Sequence, residues 1–237
     1  MSNAATSSRP VYSALAAELL ATEPRAFFGL MGEDTALLTA ALADAGVPYI
    51  AARHEAAAVG MADGYAAASG ELGLCLVTRG PGFTNALTAA RTAVRARQRV
   101  LIVTGEPPTR RWYLPDPKLV DQRLAATAVG LEYHAVHAPD EVADAFGRAL
   151  AAARAGRPAV LAVVTNVLNG PAADVPFEPP PEPRGTAPAQ PDPAAVARAA
   201  GALARSSRPL ILAGRGALGA KRELETLAER VGALLGT

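Results

Sequence analysis

The chain has 237 residues, half of them hydrophobic but only 5% aromatic, so alanine, leucine and valine must fill most of its core. A formal net charge of +1, with no long run of one sign, gives no electrostatic reason to expect nucleic acid or an anionic membrane as partner. No apolar stretch approaches the ~20 residues that a membrane-spanning helix requires. Residues 1–10 lack the apolar centre of a secretory signal and read as a flexible tail, so a cytoplasmic protein is the default expectation.

Apolar periodicity places a first helix over Ser13–Thr22, ended by Pro24, and a short strand over Ala26–Gly29. The loop Leu30–Thr35 leads to a helix carrying Leu37, Leu38 and Leu42, with Asp34 or Thr35 as its N-cap and Gly46 as its stop. Pro48–Ala51 is the next strand. An alanine-rich helix runs from His54 to about Gly70, with side chains small enough for another backbone to approach. Leu72–Val77 is a strand, Gly82 to about Arg97 a helix, and Val100–Gly105 a buried strand. Cys75 sits in an apolar run and reads as a packed thiol. Glu106–Lys118, with four prolines, Trp112 and Tyr113, is a long loop of the kind that often carries function.

A helix over Val120–Val129, a strand over Tyr133–Val136, a helix over Glu141–Ala155 and a strand over Ala159–Val164 complete the alternation. Strands apolar on both faces and alternating with helices imply an α/β domain over 11–168, a mainly parallel sheet between two helical layers. Residues 169–193 are proline-rich and read as a linker. Beyond them the pattern is a helix (Ala194–Arg205), a strand (Leu210–Ala213) and a helix (Lys221–Leu235). We read 194–237 as an incomplete Rossmann-like unit, because a lone parallel strand has no sheet to join.

Glu55 is the carboxylate with the most distinctive setting. A first-turn acid is favoured by the helix end at ~0.3–1 kcal/mol, and a solvated role would suffice. Among alanines and glycine, however, it would be poorly solvated, with a raised pKa suited to sharing a proton. Gly80-Pro81-Gly82 makes a sharp turn that either serves a plain strand-to-helix connection or admits a ligand. Gly214 to Gly219 matches G-x-G-x-x-G after a strand, which fits either nucleotide binding or a close turn. His54, His134 and His137 have no metal-ligand spacing, and no metal ligand is assigned. Arg91, Arg95 and Arg99 mark a solvated or subunit-contacting face.

Taken together, Arg53-His54-Glu55, Gly64-Tyr65-Ala66 and Thr78-Arg79-Gly80-Pro81-Gly82-Phe83-Thr84-Asn85 resemble the pyrimidine-binding domain of thiamine-diphosphate-dependent enzymes of the acetolactate synthase, pyruvate oxidase and pyruvate decarboxylase superfamily. The resemblance covers about residues 10–168, and 208–216 look like the start of that family's central domain, which binds FAD or a nucleotide in some members. It implies a soluble homodimer or higher homo-oligomer acting on a small 2-oxo acid, by decarboxylation and/or carboligation. It also implies that Glu55 hydrogen-bonds N1′ of the cofactor's aminopyrimidine and that Leu30, Met31, Gly32, Thr78, Gly80, Pro81, Gly82 and Asn85 line the cofactor.

Glu33 falls where decarboxylase-like members carry a catalytic aspartate, which would favour aldehyde release or hydrolysis; an exposed acid at a helix start is the equal alternative. The loop Gly29-Leu30-Met31-Gly32-Glu33 replaces the Gly-Tyr-Pro-Gly-Gly type of acetolactate synthases. Pro117 stands where carboligating members have a pocket glutamine, with Gln122 out of register. Gly-Asp-Gly followed by paired asparagines, the family's Mg²⁺ and diphosphate site, is not in the sequence. The expected chain is thus one half of a site, inactive alone, belonging to a longer enzyme. The alternatives are a split or non-catalytic subunit completed by a separate chain that carries the diphosphate-binding domain, and a nucleotide-binding protein.

Overall fold

Gly73–Val77 and Ala159–Val164 are buried at every position, the pattern of strands covered on both faces. They belong to a computed structural model that describes residues 9–109, 115–173 and 190–236. The chain divides into two compact units, Met1–Arg184 and Gly185–Thr237.

In the first unit the order is α1 (Val11–Leu20), β1 (Phe27–Leu30), α2 (Ala36–Asp44), β2 (Tyr49–Ala51), α3 (Glu55–Ser69), β3 (Gly73–Val77), α4 (Pro81–Ala96) and β4 (Val100–Glu106). There follow α5 (Gln122–Val129), β5 (Glu132–Val136), α6 (Val142–Arg154), β6 (Ala159–Val164) and a short α7 (Thr165–Leu168) that the sequence pattern did not suggest. The six strands form one sheet in the order β2-β1-β3-β4-β6-β5, and every pairing is parallel. Helices cover both faces, as the apolar strands imply.

Successive strand residues point to opposite faces, so Phe27 joins one core with Leu15, Leu38, Phe146 and Val167. Phe28 joins the other, built on Ala58, Ala62, Phe83, Ala86 and Ala126. That second core is made largely of alanines, which lets α3 and α4 lie close to the sheet. Gly73 shows how close: a Cβ there would sit 2.2 Å from the carbonyl oxygen of Ala62 in α3.

Two capping devices fix the helices that matter most. His54 Nδ1 accepts the Ala56 N–H at 3.1 Å at the start of α3, and Gly70 ends it at φ 74. Asp121 accepts the Leu124 N–H at 2.8 Å at the start of α5, and Gly130 ends it at φ 81. The chain passes from β1 to β2 on one side and returns through α3 to β3 on the other. The crevice outside the C-terminal ends of β1 and β3 is therefore a topological switch point, where open α/β sheets bind ligands.

The second unit contains α8 (Pro193–Arg205), β7 (Leu210–Leu212), a 3₁₀ turn over Arg215–Ala220, α9 (Lys221–Val231) and β8 (Leu234–Gly236). Here the sequence reading needs correction. Gly232, at φ 65, ends the helix early, and Leu234–Gly236 forms a strand that pairs in parallel with β7. The strand at Leu210 therefore does have a neighbour. The glycines at 214, 216 and 219 meet nothing within 4 Å of where a Cβ would stand, so no close packing demands them. Trp112 and Tyr113, and most of the proline-rich stretch, lie outside the described residues.

The contact at Gly73 yields a paired prediction. Gly73→Ala must push α3 off β3 and should lower unfolding free energy by about 1–3 kcal/mol in urea melts. Gly64→Ala, an exposed mid-helix position with nothing within 4 Å, should raise it by up to about 1 kcal/mol. Equal effects at the two sites would contradict the packing described.

Candidate functional site

The loops after β1, β2 and β3 converge at the switch point. Glu55, the first residue of α3, is 7% exposed, unlike its exposed neighbours Arg53 and His54. Asn85, one turn into α4, donates its Nδ2–H to Glu55 Oε2 at 3.1 Å. Among the described residues no protein donor reaches Oε1. The carboxylate is thus anchored through one oxygen and presents the other.

Gly82 makes room for it. A Cβ on Gly82 would lie 2.5 Å from Thr78 Cγ2 and 3.0 Å from Glu55 Oε1, so any side chain would fill the space beside the acid. Gly80 is buried at φ 67, a conformation that favours glycine, and a Cβ there would stand 2.2 Å from the Lys118 carbonyl oxygen. Pro81 then occupies the first helical position of α4, where its missing N–H is harmless. Gly32 packs on the same turn: a Cβ there would meet Thr78 Oγ1 at 2.3 Å. Gly32, Thr78, Gly82, Glu55 and Asn85 are therefore in one contiguous cluster, with Gly80 and Pro81 in the turn between. Leu30 ends β1 and Met31 opens the loop after it at the same sheet end, Met31 53% exposed.

Glu33 is exposed and faces a cleft of about 480 Å³, shared with Asp34, Arg79, Pro108, Lys118 and Thr165. One wall is formed by Pro108 and by residues 115–118. Thr109 N–H donates to Asn166 Oδ1 at 3.0 Å, and Arg79 Nη1 pairs with Asp116 Oδ2 at 2.9 Å. The Lys118 N–H, which donates to Asp116 Oδ1 at 2.8 Å, and the Arg79 guanidinium hold the Asp116 carboxyl below the usual carboxylate range.

Two residues were undervalued by sequence reasoning. Asp34, considered only as a helix cap, is 4% exposed and turns inward, where it accepts the Thr78 hydroxyl, the Arg79 N–H at 2.9 Å and the Gly105 N–H at 3.0 Å. Thr35 holds the N-cap position instead, with its hydroxyl engaged to Gly32. Gln122, set aside as out of register, is 2% exposed and bridges the Gly80 N–H to the Gly105 carbonyl. Its Nε2 also donates to the Tyr133 hydroxyl at 3.2 Å, which in turn donates to Glu106. Burial and the Glu106 carboxylate push the Tyr133 pKa up, so the phenol remains a donor. Nothing in the polarity of Asp34 or Gln122 signalled burial. Only the strand geometry reveals it.

Cys75 is buried in β3, and burial pushes its thiol pKa up, which suits packing and not nucleophilic chemistry. Among the described residues no cluster of His, Cys, Asp or Glu could hold a metal ion, and no helix is long and apolar enough to cross a membrane.

An acid anchored on one oxygen lies beside a side-chain-free turn at the switch point of a doubly covered parallel α/β domain. Residues 9–128 match the family described as "Thiamine pyrophosphate enzyme, N-terminal TPP binding domain", and the chain belongs to that family.

Its relatives include a probable acetolactate synthase large subunit of Methanocaldococcus jannaschii, 34% identical over 81% of this chain and 34% of that protein. A probable 2-ketoarginine decarboxylase of Pseudomonas aeruginosa is 32% identical over 89% of this chain and 38% of its own length. An acetolactate synthase large subunit of Haemophilus influenzae reaches 49% identity, over 61 residues that make up 26% of this chain and 11% of that protein. The chain spans about a third of the length of the first two relatives.

The Arg79–Asp116 pair makes a pH-dependent prediction. A depressed folded-state pKa means stabilisation present above the ordinary carboxylate value near ~3.9 and lost as pH falls through the lowered folded value. Carbon NMR titration of Asp116 in Arg79→Ala should show its pKa rising but still below that ordinary value, because the Lys118 N–H remains. No rise would show that the pair exerts no hold on the carboxyl.

Proposed function

We propose that this chain supplies the pyrimidine half-site of a thiamine-diphosphate-dependent enzyme that acts on a 2-oxo acid. The observation that carries the reading is Glu55: a buried carboxylate with Oε2 held by Asn85 and Oε1 without a protein donor, next to the space left by Gly82. The free acceptor Oε1, beside the space at Gly82, fits a cofactor ring that offers an N–H. When bound, thiamine diphosphate supplies a nucleophilic carbon and an electron sink for cleavage of the bond next to the carbonyl.

The chain's own part is positional and proton-holding. Glu55 Oε1 accepts the hydrogen bond of the ring nitrogen and keeps a proton there, while Asn85 prevents the carboxylate from swinging away. Gly80, Pro81 and Gly82 let the ring approach the start of α4, and Leu30, Met31, Gly32 and Thr78 flank it. In this reading Glu33, exposed on a cleft of about 480 Å³, delivers a proton to the reacting substrate, a role that favours decarboxylation with aldehyde release over carboligation. That choice of outcome is consistent with a decarboxylase among the relatives.

The diphosphate and its Mg²⁺ would be held by a further domain, in the same polypeptide or in a partner chain. The exposed face of α3, with Ala57, Gly60, Gly64 and Ala67, suits close helix-to-helix contact with that partner or with a second copy of this chain.

Replacing one oxygen of Glu55 by nitrogen tests the reading. In the assembled enzyme, Glu55→Gln should lower kcat/KM by at least about 10²-fold with the fold unchanged by circular dichroism, in line with the loss of a positioned acid–base group. Turnover within threefold of wild type would remove Glu55 from the mechanism.

A further inference from the structure

The ladder between β3 and β4 runs from Gly73 opposite Val100 to Leu76 opposite Val103 and stops there, whereas β4 stays paired with β6 as far as Glu106. Gly105 lies two residues past the parting and has no strand partner on its β3 side. Its polar groups on that side are nonetheless satisfied. The Gly105 N–H donates to Asp34 Oδ2 at 3.0 Å, and its carbonyl accepts from Gln122 Nε2 at 2.8 Å.

Each of these two buried side chains also reaches across the gap to β3's exit. Asp34 Oδ2 accepts the Arg79 N–H at 2.9 Å and Gln122 Oε1 accepts the Gly80 N–H at 2.9 Å. Two consecutive amides of the turn are thus tied through two side chains to the N–H and the C=O of a single residue. Asp34 Oδ1 takes the Thr78 hydroxyl as well, and Gly105 has no Cβ because one would stand 2.3 Å from Asp34 Oδ2. The side chains stand in for the missing ladder, holding β3 and β4 apart at a set width.

We propose that Asp34 and Gln122 are positioning residues for the cofactor half-site, a clamp that sets where the turn from Thr78 to Gly82 stands relative to Glu55. The proposal rests on the reading of Glu55 as the partner of the cofactor's ring. A backbone ladder would draw 79 and 80 in toward β4, while no connection at all would leave the turn free to drift over the space beside Glu55. The clamp excludes both. It also assigns Thr78 a different part from that of a hydrogen-bond donor to the cofactor. With its hydroxyl engaged by Asp34, Thr78 meets the site through its methyl group, which faces Gly82.

Asp34→Asn and Gln122→Met keep side-chain size while removing one acceptor or all of the amide's hydrogen bonds. Hydrogen exchange on the chain itself should accelerate at least tenfold at the amides of Arg79, Gly80 and Gly105, with the β6 amides within twofold of wild type. In the assembled enzyme the Kd for thiamine diphosphate should rise at least tenfold, while KM for the 2-oxo acid at saturating cofactor stays within twofold. Unchanged exchange at the three amides, uniform acceleration that includes β6, or unaltered cofactor affinity despite local loosening would each overturn the proposal. Failure of the wild-type assembly to bind thiamine diphosphate would instead sink the functional reading, and the exchange data would still judge the clamp.

Discussion

The parting of β3 from β4 after Leu76 and Val103 is the constraint on which the site depends. Up to that point the strands share a regular ladder, and every residue of β3 is buried. Beyond it, backbone polar groups that a sheet would normally satisfy must find side chains, because an unpaired buried N–H or C=O costs about as much as a lost hydrogen bond. Asp34 and Gln122 provide those partners. The same opening gives the turn at Gly80 its sharp geometry and leaves α4 starting at the switch point, with Asn85 directed at Glu55.

Two carboxylates from neighbouring loops thereby receive opposite assignments. Asp34 accepts three donors spread over both of its oxygens. Glu55 is held by a single donor on one oxygen. Glu33, adjacent in sequence to Asp34, is exposed on the cleft. Burial alone would rank Asp34 and Glu55 together. It is the count of donors on each oxygen that separates an acid engaged on both oxygens from one with an oxygen free.

Much of the domain was legible in the sequence because its signals are local. The apolar runs at 74–77, 100–103 and 159–164 marked buried strands, and glycines at 46 and 70 marked helix ends. The parallel α/β class followed from their alternation with helices. The Glu55 and Gly-Pro-Gly stretches were legible for the same reason, each being a short motif with its own chemistry. What was hidden depends on pairing between distant segments. Asp34 reaches Gly105 across 71 positions and Gln122 reaches Gly80 across 42. No periodicity announces such contacts. The short strand at Leu234–Gly236 is hidden because the apolar periodicity of α9 continues to Leu235, whereas Gly232 in the left-handed region stops the helix.

In the proposed chemistry Glu55 holds a proton on the ring nitrogen and so activates the cofactor. Its most direct test is the rate of hydrogen–deuterium exchange at C2 of thiamine diphosphate bound to the assembled enzyme, compared with an analogue carrying CH in place of N1′. Exchange should be at least about 10²-fold faster for the natural cofactor than for the analogue, the scale of positioned acid–base catalysis. Equal rates for the two would contradict it.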